Sequence, residues 1–480
     1  MSFPNKIINM LNTLKISENR QPLIIAISAF FILALLAAAY FPLKSIAVLG
    51  LASFIIITAI KPEFGLYLVA LFLPVIFWQP LYPDFKIETS FLDLLAAAAL
   101  FSFFLRIAYL KVIAGEKVKL ELPLIMPFLF FFGAAFFSGV FSDNSYNSII
   151  YSARWVLFPY IAFVFFPANV IKDKKILRNT IVFLLISVLY AALMALFSVQ
   201  EQNISLLDDI FQGKFFRLRL IKIFGIYPLG DFQNLLAEVM LPGIFFILSL
   251  KYWIKSERAK RFINLGMIFF TLILIATFSR GAWISVVLAS VAYLFYGHRE
   301  NLKKYLVYAL FILMLSIPAW INMYKIQTYY YIGGLSNQQK VLMLSIAWKA
   351  FSENPIIGQG SGEFVHLVEN NITYMTRYGE VLDSHGVVQK IMAENGSLGL
   401  IAFFIYSLAI FLLFSRTIKN NKNELKLFLP LAAGSLGVFI MEFFNTSYYQ
   451  GKLWLPIGIT LAAIKLLDNN KQIENSAPLS

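Results

Sequence analysis

Apolar runs of about 20 residues recur along almost the entire chain, and nothing else in the sequence constrains the fold as strongly. A helix of that length crosses a hydrocarbon core about 30 Å thick. Inside lipid, only helices and closed barrels satisfy every backbone N–H and C=O. The runs are too long for barrel strands, so the sequence reads as an all-α, polytopic transmembrane helical bundle. Composition agrees: 59% of the 480 residues are hydrophobic and 14% are charged. A soluble surface of that size needs far more charge.

The spans fall at roughly 23–41, 45–60, 65–80, 91–109, 123–141, 149–167, 177–199, 232–250, 262–278, 281–297, 305–322, 386–414, 426–444 and 453–467, with ends good to about two to four residues. That makes roughly fourteen transmembrane helices. Residues 1–22 are a cytoplasmic N-terminal segment, 23–467 the membrane domain and 468–480 a cytoplasmic tail. The stretch from Ile7 to Leu14 is weakly amphipathic and suits the membrane surface.

Basic residues crowd into every second loop. Arg106, Lys111, Lys117 and Lys119 form one group, and Lys172, Lys174, Lys175 and Arg178 the next. Lys251, Lys255, Arg258, Lys260 and Arg261 follow, then Arg299, Lys303 and Lys304, then Arg416, Lys419, Lys422 and Lys426. The positive-inside rule makes these loops cytoplasmic and puts both termini inside. The net charge of +14 is accounted for in this way. It does not imply nucleic acid as a partner, because there is no soluble basic domain to bind it. Two extracytoplasmic loops are long, about 201–230 and 323–384. Within the second, Val341 to Phe351 reads as an amphipathic helix with Val341, Leu344, Ala347, Trp348 and Phe351 on one face.

An ionisable side chain at the centre of a span costs about 2.5 to 3.5 kcal/mol on insertion scales. Asp93, Arg154, Glu238, Arg280, Glu394 and Glu442 lie within or beside spans, all in the extracytoplasmic halves. Asp93 and Arg154 are candidates for a mutual pair. A transporter ordinarily places its polar groups at the midplane, whereas an enzyme acting at the outer leaflet needs them near one surface. The distribution favours the enzyme.

Three extracytoplasmic segments combine cations with a titratable base. One is RLRLIKIFGIYPLGDFQNLLAEVMLP, Arg217 to Pro242, with Arg217, Arg219 and Lys222 ahead of a Phe-Gly turn. Another is the hairpin Phe278-Ser279-Arg280-Gly281, and the third is HGVVQKIMAENGSLGL, His385 to Leu400. Arginine forks hold phosphate oxygens bidentately and stay charged at any relevant pH. A histidine is the natural base for a hydroxyl. With no cysteine, three histidines and no carboxylate pair at metal spacing, the set implies metal-independent chemistry with no cofactor.

The last segment resembles the signature of the O-antigen ligase and O-antigen polymerase superfamily: a histidine, one residue, nine more, then Gly-x-x-Gly. Here these are His385, Gly386 (usually a polar residue), Gly396 and Gly399. The Ser279–Gly281 hairpin and NPIIGQGSGEF, Asn354 to Phe364, are similar to the same superfamily and occur in the same order. Upstream, Arg219, Phe224 and Gly225 match an arginine five residues before Phe-Gly; Pro228 and Asn234 match if an insertion separates them. The resemblance covers about 217–400. It implies a glycosyltransferase of the cell envelope that moves glycan from polyprenyl diphosphate to an acceptor hydroxyl at the outer leaflet of the inner membrane. Arg219 or Arg217 with Arg280 would hold the diphosphate, and His385 would activate the acceptor. Lys222, Glu394 and Arg154 would line the substrate site. The resemblance also leaves a transporter, for lipid-linked glycan or a small anion such as bicarbonate, as the competing class.

Overall fold

The structure is a computed structural model and describes residues 42–75, 90–201, 218, 233–297, 332–445 and 450–476. Among these, every regular element is a helix. The first group is α1 (Pro42–Ile60), α2 (Pro62–Leu71), α3 (Phe91–Ala108, continued by a π-turn to Ile113), α4 (Ile125–Val140) and α5 (Ser145–Val170). Next come α6 (Lys174–Glu201), α7 (Gln233–Ser249), α8 (Glu257–Ala276) and α9 (Arg280–Gly297). Then α10 (Ile332–Glu353), α11 (Phe364–Glu369) and α12 (Ile372–Tyr378) precede α13 (Val387–Asn420), α14 (Leu425–Met441) and α15 (Gly451–Ser476).

Eight of these segments are long and apolar enough to cross a membrane, and α1, α2 and α4 are shorter apolar helices. The expected runs at 23–41 and 305–322 lie outside the described residues; each of the others coincides with a helix. α2 ends at Leu71, earlier than the run that begins at 65 would suggest. Local chemistry sets several ends. The Ser90 hydroxyl accepts the Asp93 N–H at 3.0 Å and opens α3. Ser256 accepts the Ala259 N–H to open α8. Pro62 occupies the first turn of α2, where its missing N–H costs nothing.

Burial separates centre from rim. α7 and α14 are mostly buried, and α15 is enclosed almost throughout from Gly451 to Leu467. α8 and α9 expose most of their surface; Phe262, Leu265, Ile268 and Leu272 form a bare apolar stripe on α8. This is the pattern of a bundle whose outer helices face lipid.

The two ends of the bundle differ in chemistry. At one end Lys174 donates to Glu424 at 2.9 Å and to the Tyr252 hydroxyl at 2.6 Å. Lys465 lies 3.8 Å from Glu121, and Asn169 bonds the Glu121 backbone in both directions. These contacts tie described basic loops together at that end. The other end carries the 354–364 loop and the entries to α9, α13 and α15.

A small second core covers that end. Met343, Ile346, Ala347 and Ala350 of α10 pack with Phe364, Val368, Tyr374 and Ala393. The helix expected over Val341–Phe351 is present and longer, but its assigned face needs correction. Val341, Leu344 and Trp348 are exposed; of that set only Ala347 is on the packed side. The helix is apolar nearly all round, so spacing leaves its rotation undetermined. Partners from much later in the chain fix it.

Asp93, in the first turn of α3, and Arg154, in a π-turn of α5, lie close enough for the arginine's charge to act on the carboxylate. Arg154 also stacks on the Trp155 ring at 4.2 Å. Asp93→Arg and Arg154→Asp should each reduce the yield of folded protein, and the double reversal should restore it. Recovery no better than in the single variants, measured by size-exclusion yield in detergent, would contradict the pairing.

Candidate functional site

The Phe278–Gly281 hairpin joins α8 to α9 in a turn so tight that Phe278, a bulky residue, adopts a left-handed φ of 53°. Such a conformation costs about 1–2 kcal/mol, so the surroundings must hold it. The Thr277 hydroxyl accepts the Ser279 N–H at 3.2 Å. The Ser279 hydroxyl donates to Asn234 Oδ1 on α7 at 2.8 Å. Arg280 is therefore presented at the first residue of α9, where the free amides of the helix N-terminus add to its positive potential. The Leu218 N–H donates to the Ala276 carbonyl at 3.0 Å, joining the upstream motif to this hairpin. Arg217, Arg219 and Lys222 themselves lie outside the described residues.

His385 lies two residues ahead of α13. The Glu442 carbonyl, at the end of α14, accepts the Val387 N–H at 2.9 Å and fixes the start of the helix. Asp383 accepts both Lys390 Nζ contacts, at 2.6 and 2.7 Å, and the Ser384 N–H at 2.7 Å. The fully buried Lys390 continues to Glu394 Oε1 at 3.4 Å. This chain of charge clamps the segment that carries His385. Glu394 is itself fully buried and accepts the Phe364 N–H at 3.3 Å, so its carboxylate holds the loop core. Lys390 also lies over the Tyr151 ring, one helical turn before Arg154.

The motifs around His385 meet at a break in α13. Gly396 has φ +61° in mid-helix. The 354–364 loop fits into the gap with exchanged backbone bonds. Gln359 and Gly360 N–H groups donate to the Ala393 and Glu394 carbonyls at 3.0 and 2.9 Å. Ser397 and Leu398 N–H groups donate to Pro355 and Ile356 carbonyls at 2.9 and 3.1 Å. A Cβ at Gly396 would overlap the Ile356 carbonyl, and one at Gly358 would overlap Glu394. Thus Asn354–Phe364 and the Gly-x-x-Gly segment are two halves of one joint.

Three groups at this end act on one another electrostatically. Lys340, on α10, feels the charge of Arg280, and His385 feels that of Lys340. Burial and then the Lys340 charge push the His385 pKa down to about 4, against an opposing pull from Asp383. The imidazole is neutral at pH 7 and can accept a proton. Burial and the neighbouring Arg280 likewise lower the Lys340 pKa.

Behind the hairpin, Glu238, Glu442 and Lys452 form a buried cluster. Lys452 Nζ is 3.8 Å from Glu238, whose other oxygen accepts from Asn445. Four of the six ionisable residues singled out in the sequence, Glu238, Arg280, Glu394 and Glu442, thus gather at the His385 end. His366 pairs with Glu369 at 3.3 Å on an exposed helix. The sequence reading missed Lys340, Asp383, Lys390 and Lys452. The i,i+4 spacing of Lys390 and Glu394 was a usable signal; nothing local marks Lys340.

An O-antigen ligase family model matches residues 265–404, less than a third of the chain. The match spans the Ser279–Gly281 hairpin, α10, the 354–364 loop, His385 and the Gly-x-x-Gly break, and supports the O-antigen ligase superfamily. A search of curated proteins found no match.

Gly396→Ala should lower the unfolding free energy by more than about 2 kcal/mol, from left-handed strain and carbonyl overlap together. An unchanged melting temperature in detergent would contradict this. His385 has a second, pH-dependent consequence. Its folded pKa is depressed, so below pH 6.5 the unfolded chain binds a proton that the folded protein resists until about pH 4. Wild type should therefore lose stability relative to His385→Gln as pH falls through that window. Parallel curves would refute the buried neutral imidazole.

Proposed function

From a chain that carries an O-antigen ligase region, we propose a membrane glycosyltransferase that moves glycan from a polyprenyl diphosphate, such as undecaprenyl diphosphate, to an acceptor hydroxyl. The observation that carries the reading is the convergence of Arg280 and His385 at one end of the bundle, opposite the layer of basic loops. By the positive-inside rule the basic layer is cytoplasmic, which turns the site toward the outer leaflet of the inner membrane. The donor enters sideways from lipid, and the acceptor is a glycan, lipid or protein presented on the extracytoplasmic side.

Arg280 binds the diphosphate, and Arg219 (or Arg217) is proposed as its partner, with Lys222 nearby in sequence. His385 takes the proton of the acceptor hydroxyl on an imidazole nitrogen. The acceptor oxygen attacks the anomeric carbon, the bond from that carbon to the diphosphate oxygen breaks, and its electron pair leaves with the diphosphate. Arginine stabilises the charge that develops there. One displacement inverts the anomeric configuration. The reaction requires no metal, because the cationic side chains do its electrostatic work. Glu394 supports the site through the loop core, and Arg154 lines its approach. A transporter is the weaker reading, since the buried charges Glu238, Glu442, Lys390 and Glu394 sit at one end of the bundle and interlock with its structure.

Purified protein in nanodiscs, given lipid-linked glycan and acceptor but no energy source, should form product. Arg280→Ala and His385→Ala should each reduce transfer by at least about a hundredfold while leaving folding intact. Arg280→Lys should rescue poorly, lacking the planar fork. Wild-type rates in either alanine variant would overturn the mechanism.

A further inference from the structure

Lys340 has no role in the reaction as derived so far, and its placement calls for one. It lies on α10, in the helical layer with its own small core, whereas Arg280 belongs to the bundle. Lys340, Met343, Ala347 and Ala350 follow helical spacing along the packed side of α10. The Lys340 turn is also pinned: neighbouring Gln339 donates to the Tyr374 hydroxyl at 2.9 Å, and Met343 is fully buried. Lys340 is therefore directed inward by the fold and is itself partly withdrawn from water.

The charges it meets there are unfavourable. Arg280 acts on it as a like charge, and it acts in turn on His385. The carboxylate facing this group, Asp383, is engaged by Lys390 at 2.6 and 2.7 Å. Among the described residues Lys340 has no carboxylate partner within ion-pair distance. Drawing two cations together in a half-buried place is costly unless an anion sits between them. A diphosphate has the charge to do so.

Resting on the transferase reading, we propose that Lys340 is a phosphate-binding residue, and that the donor's diphosphate, held jointly by Lys340 and Arg280, locks the α10–α12 layer onto the bundle. The same contact prepares the base. Burial is the main cause of the depressed imidazole, and a dianion beside Lys340 offsets the charge that adds to it, so His385 becomes a stronger base when a donor is present. In the empty site His385 stays a weak one, which limits futile activation of water. The groups that face His385 in this scheme are Lys340 from α10, Asp383 from its own segment, and Arg280 by way of Lys340.

The experiment uses the full-length protein in nanodiscs, with inorganic pyrophosphate and undecaprenyl diphosphate as separate probes. Binding is measured by calorimetry, protection of 332–353 by hydrogen exchange, and the His385 pKa by NMR of labelled histidine. Pyrophosphate should protect α10 and raise the His385 pKa. Lys340→Gln should weaken binding of both probes by about tenfold or more, as expected for a charge-assisted contact, and abolish both responses. Lys340→Met, which keeps the aliphatic stem, should behave like Lys340→Gln, and Lys340→Arg should retain most binding. Lys349→Gln, altering an exposed lysine on the same helix, should change nothing. Tighter binding of the lipid probe with the same Lys340 dependence would identify the lipid headgroup as the ligand; equal binding would identify the diphosphate alone, and both support the assignment. Unchanged affinity in Lys340→Gln and Lys340→Met, or wild type that binds neither probe, would overturn it. Pyrophosphate binding that depends on Lys340 in a protein without transfer activity would sink the transferase reading and leave the anion site standing.

Discussion

Where α13 breaks at Gly396, backbone groups on both sides lose their helical partners, and the 354–364 loop replaces them in both directions. A buried amide or carbonyl left unpaired costs about 1–3 kcal/mol, so four exchanged bonds make the loop and the helix break mutually necessary. The rest of this end of the molecule follows from that joint. It anchors the loop core through Phe364 and Glu394, and Glu394 with Lys390 holds Asp383 two residues before His385. α10 is carried on the same layer and delivers Lys340. The histidine is therefore placed by backbone geometry well below it in the helix.

Charge is sorted along the bundle axis. The basic end is laced with ordinary pairs such as Lys174–Glu424 and Lys465–Glu121, partly open to solvent. The His385 end holds fully buried charges in Glu238, Glu394, Glu442 and Lys390, with Lys452 nearly so. Burying ions is expensive even in pairs, and membrane helices carry few without reason. Here each supports an element that frames Arg280 or His385: Glu238 lies one turn into α7, next to the Asn234 that holds Ser279, and Glu442 closes the end of α14 on which α13 begins.

Much of this was legible in the sequence. Apolar runs marked the helices and alternating loop charge suggested two unlike ends, because lipid biases both patterns along a chain. The Ser279–Gly281 hairpin and the His385–Gly399 segment stood out for the same reason: they break those rules. What was not legible depends on rotation and long-range contact. Between Val341 and Phe351 only Ser345 and Lys349 interrupt the apolar residues of α10, so Val341, Leu344 and Trp348 looked like a packing face although Met343 and Ala350 do the packing. Lys340, inside that ambiguous helix, gave no sign that its charge acts on His385 or that it feels that of Arg280. Glu394 was read from its place in a motif, and the fold buries it completely, where it accepts the Phe364 N–H. Gly396 and Gly399 stood in the sequence only as part of a signature, whereas Gly396 is the hinge of the loop joint, visible only once Ile356 and Gly358 are placed against it.

The account centres on a diphosphate held beside His385 at the end of the bundle away from the basic loops. The most direct measurement is a cryo-EM map of the protein in nanodiscs with a non-transferable polyprenyl-diphosphate-linked sugar. The account predicts phosphate density in contact with the Arg280 guanidinium, the sugar's anomeric carbon facing the His385 imidazole, and the lipid tail leaving sideways into the membrane. Diphosphate density at the basic end near Lys174 and Glu424, or in a passage through the centre of the bundle, would contradict it.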